Sequence, residues 1–481
     1  MAVDVHALNR RYQSLRDERS PWDSAYADLA LHFSPTKYRS DASSDTSRNP
    51  QILNSLLVDS TGVLDMRTLA AGMQGGMTSP ARPWFKLTLQ DEEALSAPDA
   101  GKWLDDVTRR MQSVLHRSNF YNAAHALYSD LGTFGTGLMI EVADWDGLHF
   151  FVVNAGEYVI DTNEMNVVDT FFRRINMTAR QIIQEFGEEK VPNIVKTAAK
   201  YKTGNASTTR FDVIQAVYPR KDRTYGKMTS SNMPFASVYW MLAGTDGQGA
   251  PHVLRESGFD EFPAFAPRWD VSGNDVYGRS PAMDVLPDCR MLQSMTTTLL
   301  KTLHKNADPP MSVMASLKSV GLDLRPGGEN FVDTFDGRPP TAAQPIQQPN
   351  AQSIQYTQAA IQDVRQKLHD GLYADLFKML ISNDRRQITA TEIEAREQEK
   401  MILIGPVVER LQKEFFEPLI QRTFNLMRRY DFIPEPPESI SGAPLRIEFV
   451  SVLAQAQRLV STSGIDQFMA FALNMSQAFP R

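Results

Sequence analysis

One cysteine stands in 481 residues, Cys289, so no internal disulfide framework is possible. Assembly in a reducing compartment is expected on that account. Cys289 sits in a helical pattern beside Met291 and Leu292, where it reads as a small buried apolar residue rather than a nucleophile. Long apolar runs are missing too. No window approaches the roughly eighteen uninterrupted apolar residues of a membrane span, so no membrane insertion is expected. The opening MAVDVHALNRRYQSLRDERS lacks the apolar centre of a signal peptide, and the chain reads as cytoplasmic at synthesis. A basic excess is also absent: 50 Lys and Arg face 57 Asp and Glu, a net charge of -7. Tight binding of nucleic acid across a basic face rests on many Lys/Arg–phosphate contacts, so this balance argues against it. It leaves room for a surface past which nucleic acid slides.

Signs of chemistry are few. The eight histidines are scattered, with neither HExxH nor paired metal-ligand spacing, and neither a metal nor a cofactor is expected. Leu131-Gly132-Thr133-Phe134-Gly135-Thr136-Gly137 looks like a phosphate loop but has no Gly-Lys-Ser/Thr ending, and it precedes a strand instead of following one. Its glycines suit a tight helix-to-strand turn. Asp144-Trp145-Asp146-Gly147 reads first as a hairpin. Its two carboxylates supply the enzyme alternative, a metal-dependent hydrolase. Trp84-Phe85 and Trp240 stand in strand contexts without the dense Lys/Arg of single-strand binders, and read as core. Nothing here supports an enzyme.

What is present is a clear order of elements. Two helical segments are expected at the N-terminus, the second opened by Ser20-Pro21-Trp22-Asp23 with a cap residue and a first-turn proline. Residues 55–74 read as a helix ending at Gly75-Gly76, and 99–130 as two helices broken near Ser118-Asn119. Strand-like runs follow at Leu138–Val142, Phe150–Val153, Val168–Ile175, Asp212–Tyr218, Ala236–Met241 and Phe262–Arg268, interrupted by a helix capped by Thr178 and ended by Gly187. An α+β domain with antiparallel sheet fits residues 1 to about 275.

Then comes SPAMDVLPDCRMLQSMTTTLLKTLHKNADPPMSV, Ser280–Val313. Leu292, Met295, Leu299 and Leu303 make one helical stripe; Arg290, Gln293, Thr297, Lys301 and His304 make another, polar and mildly basic. Asp308-Pro309-Pro310 stops this helix, and a Pro/Gly-rich insert with short strand-like pieces, MSVMA and NFVDTF, follows. Helix resumes at Ala351, apolar along Ile354, Ile361, Val364, Leu368, Leu372, Leu376 and Leu380, with Gln358, Gln362, Arg365, Gln366 and His369 on the other face. Ser382-Asn383-Asp384-Arg385-Arg386-Gln387 is a polar break before a long helix to about Tyr430, with kinks expected at Gly405-Pro406 and Pro418. A strand at Leu445–Val450 and two more amphipathic helices finish the chain. The chain stops inside a helical pattern, and a longer C-terminal segment is expected for that reason.

Several phrases occur in order along the chain: MTSPARPWFKL, LGTFGTGLMIEV, ESGFDEFPAFAPRW followed by YGRSPAMDVLPD, TATEIEAREQEK and VSVLAQAQR. Together they resemble the head-to-tail connecting (portal) proteins of short-tailed, podovirus-type bacteriophages, over nearly the whole chain. The resemblance implies an α+β portal-type subunit with an α/β wing at residues 1–280. A first stem helix at 281–306, a small strand-rich clip at 307–350 and a second stem helix at 351–380 follow. It further implies a channel loop at 381–390, a long kinked helix at 391–430, and a C-terminal strand with crown-base helices at 431–481. The implied function is structural: a homo-oligomeric ring, a dodecamer in such proteins, at one capsid vertex, through which double-stranded DNA is packaged and ejected. Implied partners are the terminase packaging motor, a tail adaptor protein, the major capsid and scaffolding proteins, and internal ejection proteins. The place is the virion, after assembly in the host bacterial cytoplasm. Carried onto this chain, Asn383, Asp384, Arg385, Arg386 and Gln387 would face DNA, and Arg290, Lys301, His304 and Lys305 would form the stem's channel face. An acidic whole with one short basic loop suits transient phosphate contact. Another virion protein of the head–tail junction, such as a tail adaptor, is the structural alternative; it would lack this helix–insert–helix–loop–helix order.

Overall fold

Asp4 caps the first helix by accepting the backbone N–H groups of His6 and Ala7, and α1 then runs from Val5 to Phe33. This computed structural model describes residues 4–37, 57–90, 98–144, 147–200, 209–221, 223, 229–242, 249–308, 311–313, 343–345, 351–382, 403–440, 444–451 and 453–455. The expected boundary at Ser20-Pro21 is absent: one helix passes through Pro21. Tertiary anchors on both sides override the local signal. Arg19 is buried, donates to the carbonyls of Ala155 and Tyr158, and lies against the rings of Tyr26, Tyr158 and Tyr277. Ser20 and Pro21 themselves are exposed, where a missing backbone bond costs least.

After α1 come α2 (Thr61–Met77), β1 (Phe85–Leu89), α3 (Pro98–Arg117) and α4 (Phe120–Phe134). Strands β2 (Leu138–Asp144), β3 (Gly147–Val153), β4 (Tyr158–Thr162) and β5 (Val168–Thr178) follow, then α5 (Ala179–Phe186) and α6 (Asn193–Lys200). Next are β6 (Arg210–Pro219), β7 (Phe235–Leu242), β8 (Pro251–Phe259) and the short β9 (Ala264–Phe265). The stem-forming candidates are α7 (Pro281–Ala307) and α8 (Ala351–Gly371), with β10 (Met311–Val313) and β11 (Ala343–Pro345) between them. The chain continues in α9 (Ala374–Ser382), α10 (403–411), a π turn (Gln412–Phe416), α11 (Glu417–Arg429) and β12 (Leu445–Phe449).

The fold is mixed α+β, and every named pairing is antiparallel. Strands β4-β5-β6-β7-β8 form a meander of five, and β3-β2-β9 a sheet of three. The N-terminal half of α1 packs Leu8, Tyr12 and Leu15 onto Phe172, Ile214 and Trp240 of the meander. The opposite face, with Phe171 and Val217, packs on Leu138 and Ile140 of the smaller sheet. β4 and β8 were not among the sequence-predicted strands: both are edge strands, one short and one carrying Arg255 and Glu256. Trp84, Phe85 and Trp240 are all core, as expected. Residues 85–89 and 445–449 pair across nearly the whole chain, a contact that local pattern cannot announce.

The glycine-rich stretch is a helix-to-strand turn. Gly135 ends α4 at φ 77°, and a β-carbon there would strike the Gly278 carbonyl just before α7. Thr178 caps α5 as expected, and Gln181 completes a capping box with it. The helix over 61–77, by contrast, passes through Gly75-Gly76 rather than ending there, because Gly76 is a notch for Leu453. Pro418 is met by the π turn. It has no N–H, and its ring crowds the carbonyl four residues back; the widened turn, closed by the Glu417 N–H on the Gln412 carbonyl, accommodates it. The same turn presents Glu414 to the buried Arg268, which donates to it at 2.8 Å. Farther along, Arg422 and Thr423 reach the fully buried Glu141 on β2, whose carboxyl burial pushes up to about 7.

Candidate nucleic-acid interface

Ser280 starts α7, accepting the Met283 N–H, with Pro281 in the first turn. The helix then divides. Ala282, Val285, Cys289 and Leu292 are buried in the large core that also holds α2, α4, α8, α9 and the π turn. Beyond Leu292 burial falls away: Met295 and Leu299 are partly covered, while Leu300 and Leu303 are exposed. Cys289 lies wholly within the buried half, as a free thiol that burial pushes up to about 11.

α8 returns alongside α7. Gly371 abuts Val285 near one end, and Thr296 and Leu299 share a groove of about 420 Å³ with Gln358, Gln362 and Arg365 farther along. Between the two helices in the chain, β10 and β11 pair over three residues, which bears out a strand at MSV; NFVDTF lies outside the described residues. The predicted apolar stripe of α8 is buried at Ile361, Val364, Leu368 and Leu372.

Of the predicted channel residues, Arg290 is half-exposed and donates to Asp28 on α1 at 2.7 Å. Lys301, His304 and Lys305 lie together on the exposed last turns of α7, with no ion-pair partner among the described residues. Asn383, Asp384, Arg385, Arg386 and Gln387 fall outside the described residues, and the structure brings nothing to bear on them beyond the point at which α9 ends, Ser382.

The sequence reading missed the acids that hold these helices. Asp59 accepts from Arg365 at 2.7 Å and from the Thr61 N–H at 2.8 Å, and its backbone is bracketed by Gln293. Burial pulls its pKa upward, but the bonds from Thr61 and Arg365 outweigh that and leave it below the ordinary 3.8. Asp65 accepts from His369 Nδ1–H at 2.6 Å, with Lys378 Nζ at 3.9 Å; here burial outweighs its partners and the pKa is raised. So Gln293, Arg365 and His369, all read as part of the polar faces of α7 and α8, contact this chain's own acids. A signal was available for Asp65. It stands one helical turn from Leu69 and next to Met66, on the apolar stripe of α2, where an unpaired acid is costly.

The hairpin reading of residues 144–147 is borne out: Asp144 pairs with Gly147 in register, while Asp146 lies outside the described residues. Among the described residues no group of three or more His, Cys, Asp or Glu side chains is placed to hold a metal ion, and no helix is long and apolar enough to cross a membrane.

A family model described as "Bacteriophage head to tail connecting protein" matches residues 5–481. The chain is 37% identical over 483 residues to "Portal protein" of Salmonella phage epsilon15, covering 99% of this chain and 84% of that protein. It is 37% identical over 463 residues to "Probable portal protein" of Bordetella phage BPP-1, covering 96% and 81%. A chain from "Virion of native gene transfer agent (GTA) particle" aligns over 93% of this chain and 94% of its own at a TM-score of 0.37 and 11% identity, a similarity that leaves the fold description resting on this chain's own elements. With the match extending over the sheets, both long helices and the C-terminal strand alike, the chain belongs to the bacteriophage head to tail connecting protein family.

Proposed function

We propose that this chain is a portal subunit: copies of it form a ring at one capsid vertex, and double-stranded DNA passes through the ring during packaging and ejection. The observation that carries the reading is the α7–α8 pair in a chain of this family, embedded at one end and bare at the other. A helix pair that leaves Leu300 and Leu303 exposed gains from packing against identical neighbours in a cyclic arrangement. Residues 1–280 serve as the wing, 281–306 and 351–380 as the stem, 307–350 as the clip, and 431–481 as the base of the crown. The clip end meets the terminase motor and later the tail adaptor; the crown side meets capsid, scaffolding and ejection proteins. The role is structural rather than enzymatic, in a virion component assembled in the host cytoplasm. Residues 383–387 enter the channel, where Arg385 and Arg386 touch phosphates in passing, and Lys301, His304 and Lys305 line the stem below them.

The test is the double variant Arg385→Ala/Arg386→Ala in the full chain. Ring assembly is expected to persist while DNA packaging or retention falls. Wild-type packaging and retention in that variant would refute the role of the loop.

A further inference from the structure

Between α8 and α9 the helix breaks over two residues, Leu372 and Tyr373. Leu372 N–H still bonds the Leu368 carbonyl at 2.9 Å, but Tyr373 N–H reaches only as far as Asp370, at 3.1 Å, and Tyr373 takes φ 55°. A left-handed conformation is costly for a side chain of this size, and it persists only where the surroundings impose it. Helix restarts at once, with Phe377 N–H on the Tyr373 carbonyl at 3.2 Å. What imposes the angle is visible on both sides of the break, and it converges on α2. Phe377 fills a notch over Gly72, where a β-carbon would overlap its ring. About two turns earlier on α2, Asp65 bonds His369 before the break and faces Lys378 after it. A lesser bridge joins the same two helices directly, from Gln366 to Asp375 at 2.9 Å.

We infer that Asp65 is a positioning residue: it holds α8 and α9 at a fixed angle across Gly371–Tyr373, and so sets the direction in which the chain leaves α9 at Ser382. Asp65 has 3% of its side chain exposed, and a buried carboxylate needs partners. It draws them from both helices, His369 on α8 and Lys378 on α9, across a break where the α-helical bonding is interrupted at Tyr373. The inference rests on the portal reading only for its consequence, a fixed point of departure at Ser382 for the proposed channel loop.

Hydrogen–deuterium exchange on the full-length assembled protein, without DNA, tests it. In Asp65→Asn, amides of 374–382 should exchange about tenfold faster, the loss expected for a hydrogen bond to a charged group. Amides of α4 and of residues 281–292 should change by less than about twofold. Lys378→Met, at an exposed site that poses no folding hazard, should move 374–382 in the same direction by less. The double variant should exchange no faster there than Asp65→Asn alone. Uniform acceleration across α2, α4 and α7 would make Asp65 an ordinary core acid and overturn the inference, as would an unchanged 374–382 in both single variants. Because exchange is read without DNA, this outcome is separate from the packaging result for Arg385 and Arg386.

Discussion

The two halves of α7 carry the same helical period and live in different surroundings. From Pro281 to Leu292 the apolar stripe is closed off by α2, α4 and α8; from Met295 to Leu303 the stripe continues but its cover thins, partial at Met295 and Leu299 and lost at Leu303. Periodicity therefore reports which residues share a face, and not whether the partner for that face lies in the same chain. The half with a partner belongs to the subunit's own stability. The half that is only partly covered is where packing between subunits has most to contribute.

The comparison breaks first, and most strongly, under truncation of the two stripes. Leu292→Ala, at a fully buried site, should cost about 2–5 kcal/mol in denaturant unfolding of the subunit. Leu303→Ala, at a site 39% exposed, should stay within about 0.5 kcal/mol in the same assay. Leu303→Ala should instead raise the concentration at which rings form. Equal costs at the two positions would remove the distinction.

Acid should loosen the attached half next. The Asp59 carboxyl is held below its ordinary value of 3.8 by Thr61 and Arg365. Its contribution is thus fully present above that value and lost as the pH falls through the lower folded-state value. Stability measured from pH 5 downward should therefore fall less steeply in Asp59→Asn than in the parent chain, a difference of about 1–2 kcal/mol at the parent's plateau. Parallel curves would show that the bond to Arg365 adds nothing.

The smallest effect concerns Cys289. Its thiol is raised from 9.0 to about 11, so at pH 8 its thiolate fraction is about a hundredth of an ordinary cysteine's. Burial slows access further. Labelling by a thiol-disulfide reagent should be slow in the native ring and fast in urea; native labelling at the rate of a free thiol would place the first half of α7 outside the core.

Much of this was legible beforehand. The limits of α7 follow from Ser280-Pro281 and Asp308-Pro309-Pro310, the turn at Gly135 from its glycines, and the α5 cap from Thr178. Pro21 misled because a proline on an exposed helix flank is outweighed by Arg19 and Tyr26, anchored on either side of it in the core. Gly75-Gly76 misled for the opposite reason: Gly76 answers a close neighbour, Leu453, and the helix runs one residue further, to Met77. Of the candidate interface, the polar faces of α7 and α8 were visible as faces. Their assignment was not, because Asp59 and Asp65, which take up Gln293, Arg365 and His369, lie more than two hundred residues away in the chain.

Electron microscopy of the purified full-length protein tests the central claim most directly. Rings are expected whose central hole admits a DNA duplex, roughly 20 Å or wider from helix and groove dimensions, with α7 and α8 packed between neighbours where Leu300 and Leu303 are bare in the single chain. Compact monomers at all concentrations, or rings with the outer half of α7 facing only solvent, would contradict it.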